Sequence, residues 1–126
     1  MFRIRQPLTF YSAVITHSYY AIFYAAKAYL ARKGIITEPP EEHKKTYETY
    51  KELVEDGELD VELLRMYSQT LIKADTLLKI FETEKSKRGK FTYRRLPQAN
   101  KEPAEQSVTH AKTFFKHTYN LLEARK

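Results

Sequence analysis

The sequence predicts an all-α fold, an up-and-down antiparallel bundle of four main helices with room for a short extra one. No stretch shows the period-two apolar alternation of a half-buried strand. Glycines at 34, 57 and 89 and prolines at 39, 40, 97 and 103 divide the chain into segments of helical length. Within those segments apolar residues recur at spacings of three, four and seven. At 126 residues the chain is long enough for a core of its own and reads as a single domain over 1–126.

The first helix is predicted from about Leu8 to Lys33, ending at Gly34, which can take the left-handed conformation of a helix terminus. Its segment THSYYAIFYAAKAYLARKG joins a dense aromatic cluster to a series of alanines. Ala21, Ala25 and Ala28 fall on one side, and Tyr20, Phe23, Tyr24 and Lys27 on a neighbouring strip. A helix apolar around most of its circumference needs cover on several sides, so this one is expected at the centre of the bundle. The second helix follows Thr37-Glu38-Pro39-Pro40, with proline in the first turn and glutamates complementing the dipole, and ends at Gly57. The third has Asp60 as N-cap and Leu59 packing on Leu64 as a hydrophobic staple. Leu64, Leu71 and Leu78 form one heptad line, and Tyr67, Ala74 and Phe81 the other, a seam suited to an antiparallel neighbour or a second subunit. Residues 86 to 103 read as the longest irregular segment. The fourth helix is expected after Pro103, with Ala104, Val108, Ala111, Phe115 and Leu122 facing inward.

Charge is polarised along the chain. From Thr37 to Leu63 acidic residues outnumber lysines, and from Glu84 to Lys101 the balance reverses. A basic connector is one footprint of nucleic-acid binding; it is also what a solvated loop, or one pairing with an acidic surface, looks like. The chain has no cysteine, so disulfides and thiolate zinc sites are excluded. The first residues lack an uncharged secretory core, and the apolar run Ala21–Ala26 is too short to span a bilayer. The expectation is a soluble cytoplasmic protein with no membrane contact.

Most catalytic signatures are missing: there is no glycine-rich phosphate loop, no GxSxG elbow and no HExxH pair. His110 and His117, seven apart, are too widely spaced to share a metal ion without further ligands, and no metal is expected. His17 is expected on the apolar face of the first helix, as a hydrogen-bonded core histidine or one lining a cleft, and His43 opens the acidic helix. Of the ten tyrosines, Tyr19, Tyr20, Tyr24, Tyr29, Tyr47, Tyr50 and Tyr67 fall mostly at core or interface positions. Tyr93 lies among Arg88, Lys90, Arg94 and Arg95 and is the aromatic best placed to contact a nucleotide.

The segment SYYAIFYAAKAYL followed by Gly34 resembles the signature helix of HEPN-domain proteins. The His43-Lys44 pair and Arg88-Gly89-Lys90-Phe91-Thr92-Tyr93 resemble, in order, features of the branch with the tyrosine-rich helix. A last amphipathic helix with Phe114 and Phe115 completes a likeness that covers nearly the whole chain. The resemblance implies a small helical bundle associated with nucleotide and RNA biology, without a cofactor. Ribonuclease members carry arginine, four to six residues, then histidine; this sequence has no such pair, and Tyr93 stands where the histidine is expected. A phenol with a pKa near 10 is a poor general base at neutral pH. The resemblance therefore implies a homodimerising module that binds a nucleotide, RNA or protein through Arg88, Lys90, Tyr93, Arg94 and Arg95. Its implied protein partner is a minimal nucleotidyltransferase, as in toxin–antitoxin pairs. Two alternatives stay open: a metal-independent ribonuclease using Arg88 and Tyr93 with His43 or His17 recruited in space, and a purely structural partner-binding subunit.

Overall fold

The computed structural model describes residues 7–86 and 101–124, with side chains over 10–79 and 101–124. Four helices account for them: α1 (Pro7–Arg32), α2 (Glu42–Glu55), α3 (Val61–Ser86) and α4 (Lys101–Ala124), and no strand occurs among the described residues. They form an all-α bundle in which α1 touches each of the other three helices and packs most extensively against α4.

Glycine ends the first two helices by the same device. Gly34 and Gly57 have φ of 88° and 84°, where any other residue would be strained. Beyond α1, the N–H of Ile35 donates to the carbonyl of Leu30 at 2.8 Å and that of Gly34 to Ala31 at 2.9 Å. Beyond α2, Glu58 donates to Leu53 and Gly57 to Val54, both at 2.9 Å. These are paired Schellman closures, and they satisfy carbonyls that the helix end leaves without partners. The Asp60 cap also forms as expected, its Oδ1 accepting the Glu62 N–H at 2.9 Å. Leu59 is buried, and Leu64 packs against the same cluster.

Other boundaries and faces differ from expectation. Pro39 and Pro40 precede α2 rather than forming its first turn, and the N-cap is Glu41, left-handed at φ 57° with no side-chain cap. That conformation costs a non-glycine residue about 1–2 kcal/mol. Nearby compensation comes from Thr46, whose hydroxyl donates to the Glu42 carbonyl at 2.8 Å and meets the Thr37 hydroxyl at 2.7 Å. Helix α4 starts at Lys101, which puts Pro103 inside its first turn, where a missing N–H loses no helical bond.

The buried line of α3 runs through Leu63, Tyr67, Thr70 and Leu77, while Leu78 is exposed. On α4 it runs through Ala104, Ser107, Phe114 and Thr118, and Phe115 is exposed. In both helices small hydroxyl residues occupy core positions, which turns the inner face by one residue from where apolar residues alone place it. The centre of the core is aromatic. Tyr50, Tyr67 and Phe114 are fully buried with ring centroids 5.5–5.9 Å apart, and burial pushes the Tyr50 and Tyr67 phenols well above their usual range.

Candidate functional site

Helix α2 begins with its first turn against the middle of α1, and this places His43 in an aromatic setting. The imidazole stacks on Phe23, with centroids 3.8 Å apart and planes 11° from parallel. Tyr20 meets it edge-on at 5.6 Å, and Tyr19 lies beside it at 5.7 Å. Tyr19 Oη is 2.7 Å from His43 Nδ1. Burial, then the proximity of Lys27, lowers the His43 pKa below its ordinary value, so the ring is neutral at pH 7. Burial, then Tyr20 and Asp75, pushes the Tyr19 phenol up to about 12. A phenol is a better donor than a neutral imidazole N–H, and imidazole nitrogen a better acceptor than a phenol oxygen. We therefore assign the proton of this bond to Tyr19. His43 then carries its own proton on Nε2, as a hydrogen-bond donor.

Lys27 is held by an ion pair with Glu42, the residue before His43, with its ammonium 5.9 Å from the Phe23 centroid. A second tie between α1 and the end of α2 comes from Glu58, which accepts from Tyr29 Oη at 2.9 Å and pairs with Lys33 at 2.5 Å. The orientation of α2 on α1, and with it that of His43, is fixed at both ends.

His43, Leu71 and Asp75 form a ridge between two adjoining clefts. The first, about 400 Å³, lies between α1 and α3 and is lined further by Thr16, Tyr20 and Leu78. The second, about 390 Å³, lies between α2 and α3 and adds Lys44, Tyr47 and Ile72. The ridge thus offers an imidazole and a carboxylate, with aromatic and apolar walls in the first cleft and the charged Lys44 and Glu48 beside Tyr47 and Ile72 in the second. Each cleft has the volume of a small-ligand site. A third cleft, of about 420 Å³, opens between Phe10, Tyr11 and Val14 of α1 and the first turns of α4. It contains no histidine, and its Lys101 and Glu105 pair with each other at 3.9 Å.

Of the residues singled out from sequence, the structure places His43 in a cleft. Arg88, Lys90, Tyr93, Arg94 and Arg95 lie outside the described residues. His17 is exposed on α1 rather than buried on its apolar face, because the covered arc of that helix runs through Ile15, Ser18, Tyr19 and Ile22. His110 is partly buried against α3, where burial and the charges of Lys73 and Arg65 lower its pKa; His117 is exposed. Sequence reading missed Asp75 and the Tyr19–His43 pair. The pair joins residues 24 apart, so it depends on how α1 and α2 cross. Asp75 sits in the Leu71–Leu78 interval of α3 and has a signal only in the face it shares with them.

A helical bundle with an aromatic central helix and a histidine at the start of its second helix defines the class. The HEPN domain family matches residues 6–122. The chain belongs to that family, whose members are nucleotide- and RNA-associated modules that commonly dimerise. No curated protein and no solved structure matches it. No helix among the described residues is long and apolar enough to cross a membrane.

Proposed function

We propose that this chain is a dimerising HEPN module that binds a nucleotide or RNA, taking a base into the His43 clefts and phosphates on the basic connector. The observation that carries the reading is the placement of His43. Its ring is stacked on Phe23 and held at Nδ1 by Tyr19, and it lines both clefts together with Asp75. A donor and an acceptor on one ridge suit the polar edge of a heterocycle, and Tyr20, edge-on to His43, supplies an aromatic wall to the first cleft. Arg88, Lys90, Arg94 and Arg95 supply the phosphate contacts in this proposal, and Tyr93 a second stacking ring. Their assignment rests on the sequence. The protein partner in this reading is a minimal nucleotidyltransferase of a toxin–antitoxin pair, supported by family resemblance.

The test is a gel-shift titration with a short single-stranded RNA across a range of salt. Affinity should fall steeply between low and moderate ionic strength, and Arg94→Glu with Arg95→Glu should abolish binding. Binding that ignores both changes would remove RNA as the ligand. The neutral His43 imidazole also keeps a ribonuclease reading open, since it can accept a proton at pH 7 if turned from Tyr19. That reading requires RNA cleavage without divalent metal, lost in both Arg88→Ala and His43→Ala. RNA left intact by the purified protein would exclude it.

A further inference from the structure

Helix α1 leaves one stripe of its surface uncovered by any described residue. Phe10, His17, Tyr20 and Tyr24 are its large members, with Phe10 61%, Tyr20 40% and Tyr24 60% exposed. Ala13, Ala21, Ala28 and Ala31 are its small ones, all exposed. The spacing is that of a single helical face carried over some 32 Å. None of these eight residues is Asp, Glu, Lys or Arg, although those four types make up 30% of the chain. A stripe without cations is no phosphate track, and it continues directly into the Tyr20 wall of the first His43 cleft.

Bulk is distributed unevenly along the stripe. Its first half begins with Phe10 and its second half ends in Ala28 and Ala31. In a parallel pair of such helices Phe10 would meet Phe10 of the second copy, and the alanine ends would face each other across a gap. An antiparallel pair centred between Tyr20 and Ala21 does the reverse. Phe10 comes level with the second copy's alanine end, Ala13 with Ala28, and the His17 ring with the Tyr24 hydroxyl, a hydrogen-bonding pair. Two alanines at the centre let the backbones approach closely. The stripe exposes on the order of 600 Å² per copy, given the size of its three aromatic rings. Two copies would then bury roughly 1,200 Å², the lower bound for a stable interface.

We infer that the α1 stripe is the surface on which a second copy of this chain docks, with the two α1 helices antiparallel about a two-fold axis near Tyr20 and Ala21. This rests on the dimerising reading above and names its surface. Tyr20 lies on the flank of the stripe that faces α2 and α3. A two-fold axis perpendicular to both helices keeps that flank on the same side in both copies. The two His43 clefts then open side by side, with the Tyr20 rings between them, and one strand of ligand can cross both.

The experiment combines sedimentation equilibrium with cysteine pairs, which are clean because the chain has no cysteine of its own. Wild type is expected to be a dimer, and Ala21→Arg, on an exposed position, to keep its helical circular dichroism while raising the dimer Kd roughly a hundredfold or more. With a short bis-maleimide, Ala13→Cys mixed with Ala28→Cys should cross-link, whereas Ala13→Cys alone should not, its two sulfurs being about 22 Å apart along the helices. Cross-linking of Ala13→Cys by itself would overturn the antiparallel arrangement. A dimer that Ala21→Arg leaves intact would place the interface elsewhere and leave the dimerising reading standing. A wild-type chain that stays monomeric at high concentration would defeat both. A wild-type monomer that associates through α1 only with a different protein would replace the second copy with that partner.

Discussion

Where α1 meets α2, the polar side chains that leave solvent find each other. Tyr19 holds His43 Nδ1, Thr37 holds Thr46, and Tyr29 holds Glu58. Among the described residues of α3 and α4, the Tyr67, Thr70 and Ser107 hydroxyls and His110 Nδ1 are buried without a hydrogen-bond partner, and the tie between Lys73 and Gln106 is exposed. An unmade hydrogen bond in the interior costs more than a made one contributes, so the two sets of buried polar groups differ in kind. The first is specified by directional contacts and fixes the geometry around His43. The second is held by shape and apolar area, chiefly the aromatic cluster. The His43 clefts adjoin the first set.

The largest effect is expected where both sides depend on the same ring. Phe114 is fully buried between Tyr50 and Tyr67, and Phe114→Ala should lower unfolding free energy by about 3–5 kcal/mol in urea titration. An effect below about 1 kcal/mol would mean that the aromatic cluster is not what holds α4. Next comes a pair of isosteric hydroxyl deletions expected to differ in sign. Tyr19→Phe leaves His43 Nδ1 without its donor and should cost about 1–3 kcal/mol, whereas Thr70→Val removes a buried hydroxyl that has no partner among the described residues and should stabilise by about 1 kcal/mol. Equal signs in the two melts would erase the distinction between partnered and unpartnered buried groups.

The smallest expected effect is a pH slope. His43 and His110 both have folded pKa values lowered by burial, with nearby cations adding to it. An unfolded histidine titrates near 6.5, so below that pH the unfolded chain binds more protons than the folded one. Stability should therefore be fully present above about pH 7, decline as pH falls through 6.5, and level off below the folded pKa values. His43→Gln should flatten part of this slope and His110→Gln another part. A slope unchanged by both substitutions would mean that neither ring is held neutral by the fold.

The comparison also explains what could be read from the chain. Helix ends that depend on local chemistry were legible: Gly34 and Gly57 demand a left-handed turn, and Asp60 followed by an apolar run marks a cap. The aromatic α1 pointed to the core and to the family at once. The inner face of α4 was not legible, because Ser107 and Thr118 are buried there while Phe115 faces outward. Neutral hydroxyl residues fit a close helix contact, and an apolar count passes over them. Leu78 was displaced for the same reason, with Thr70 taking a buried position on α3. Of the site, His43 was legible from its place at a helix start. Its partner Tyr19 and its neighbour Asp75 were not, since three helices must cross before those groups meet.

The account turns on His43 as the residue that receives a base. The most direct measurement is an NMR titration of the protein with a short oligoribonucleotide, following the His43 ring protons and the Tyr20 ring. The His43 and Tyr20 signals should shift together and saturate, and Tyr20→Ala should weaken the response at His43. Shifts confined to other residues, with the His43 signals unmoved at saturating RNA, would contradict it.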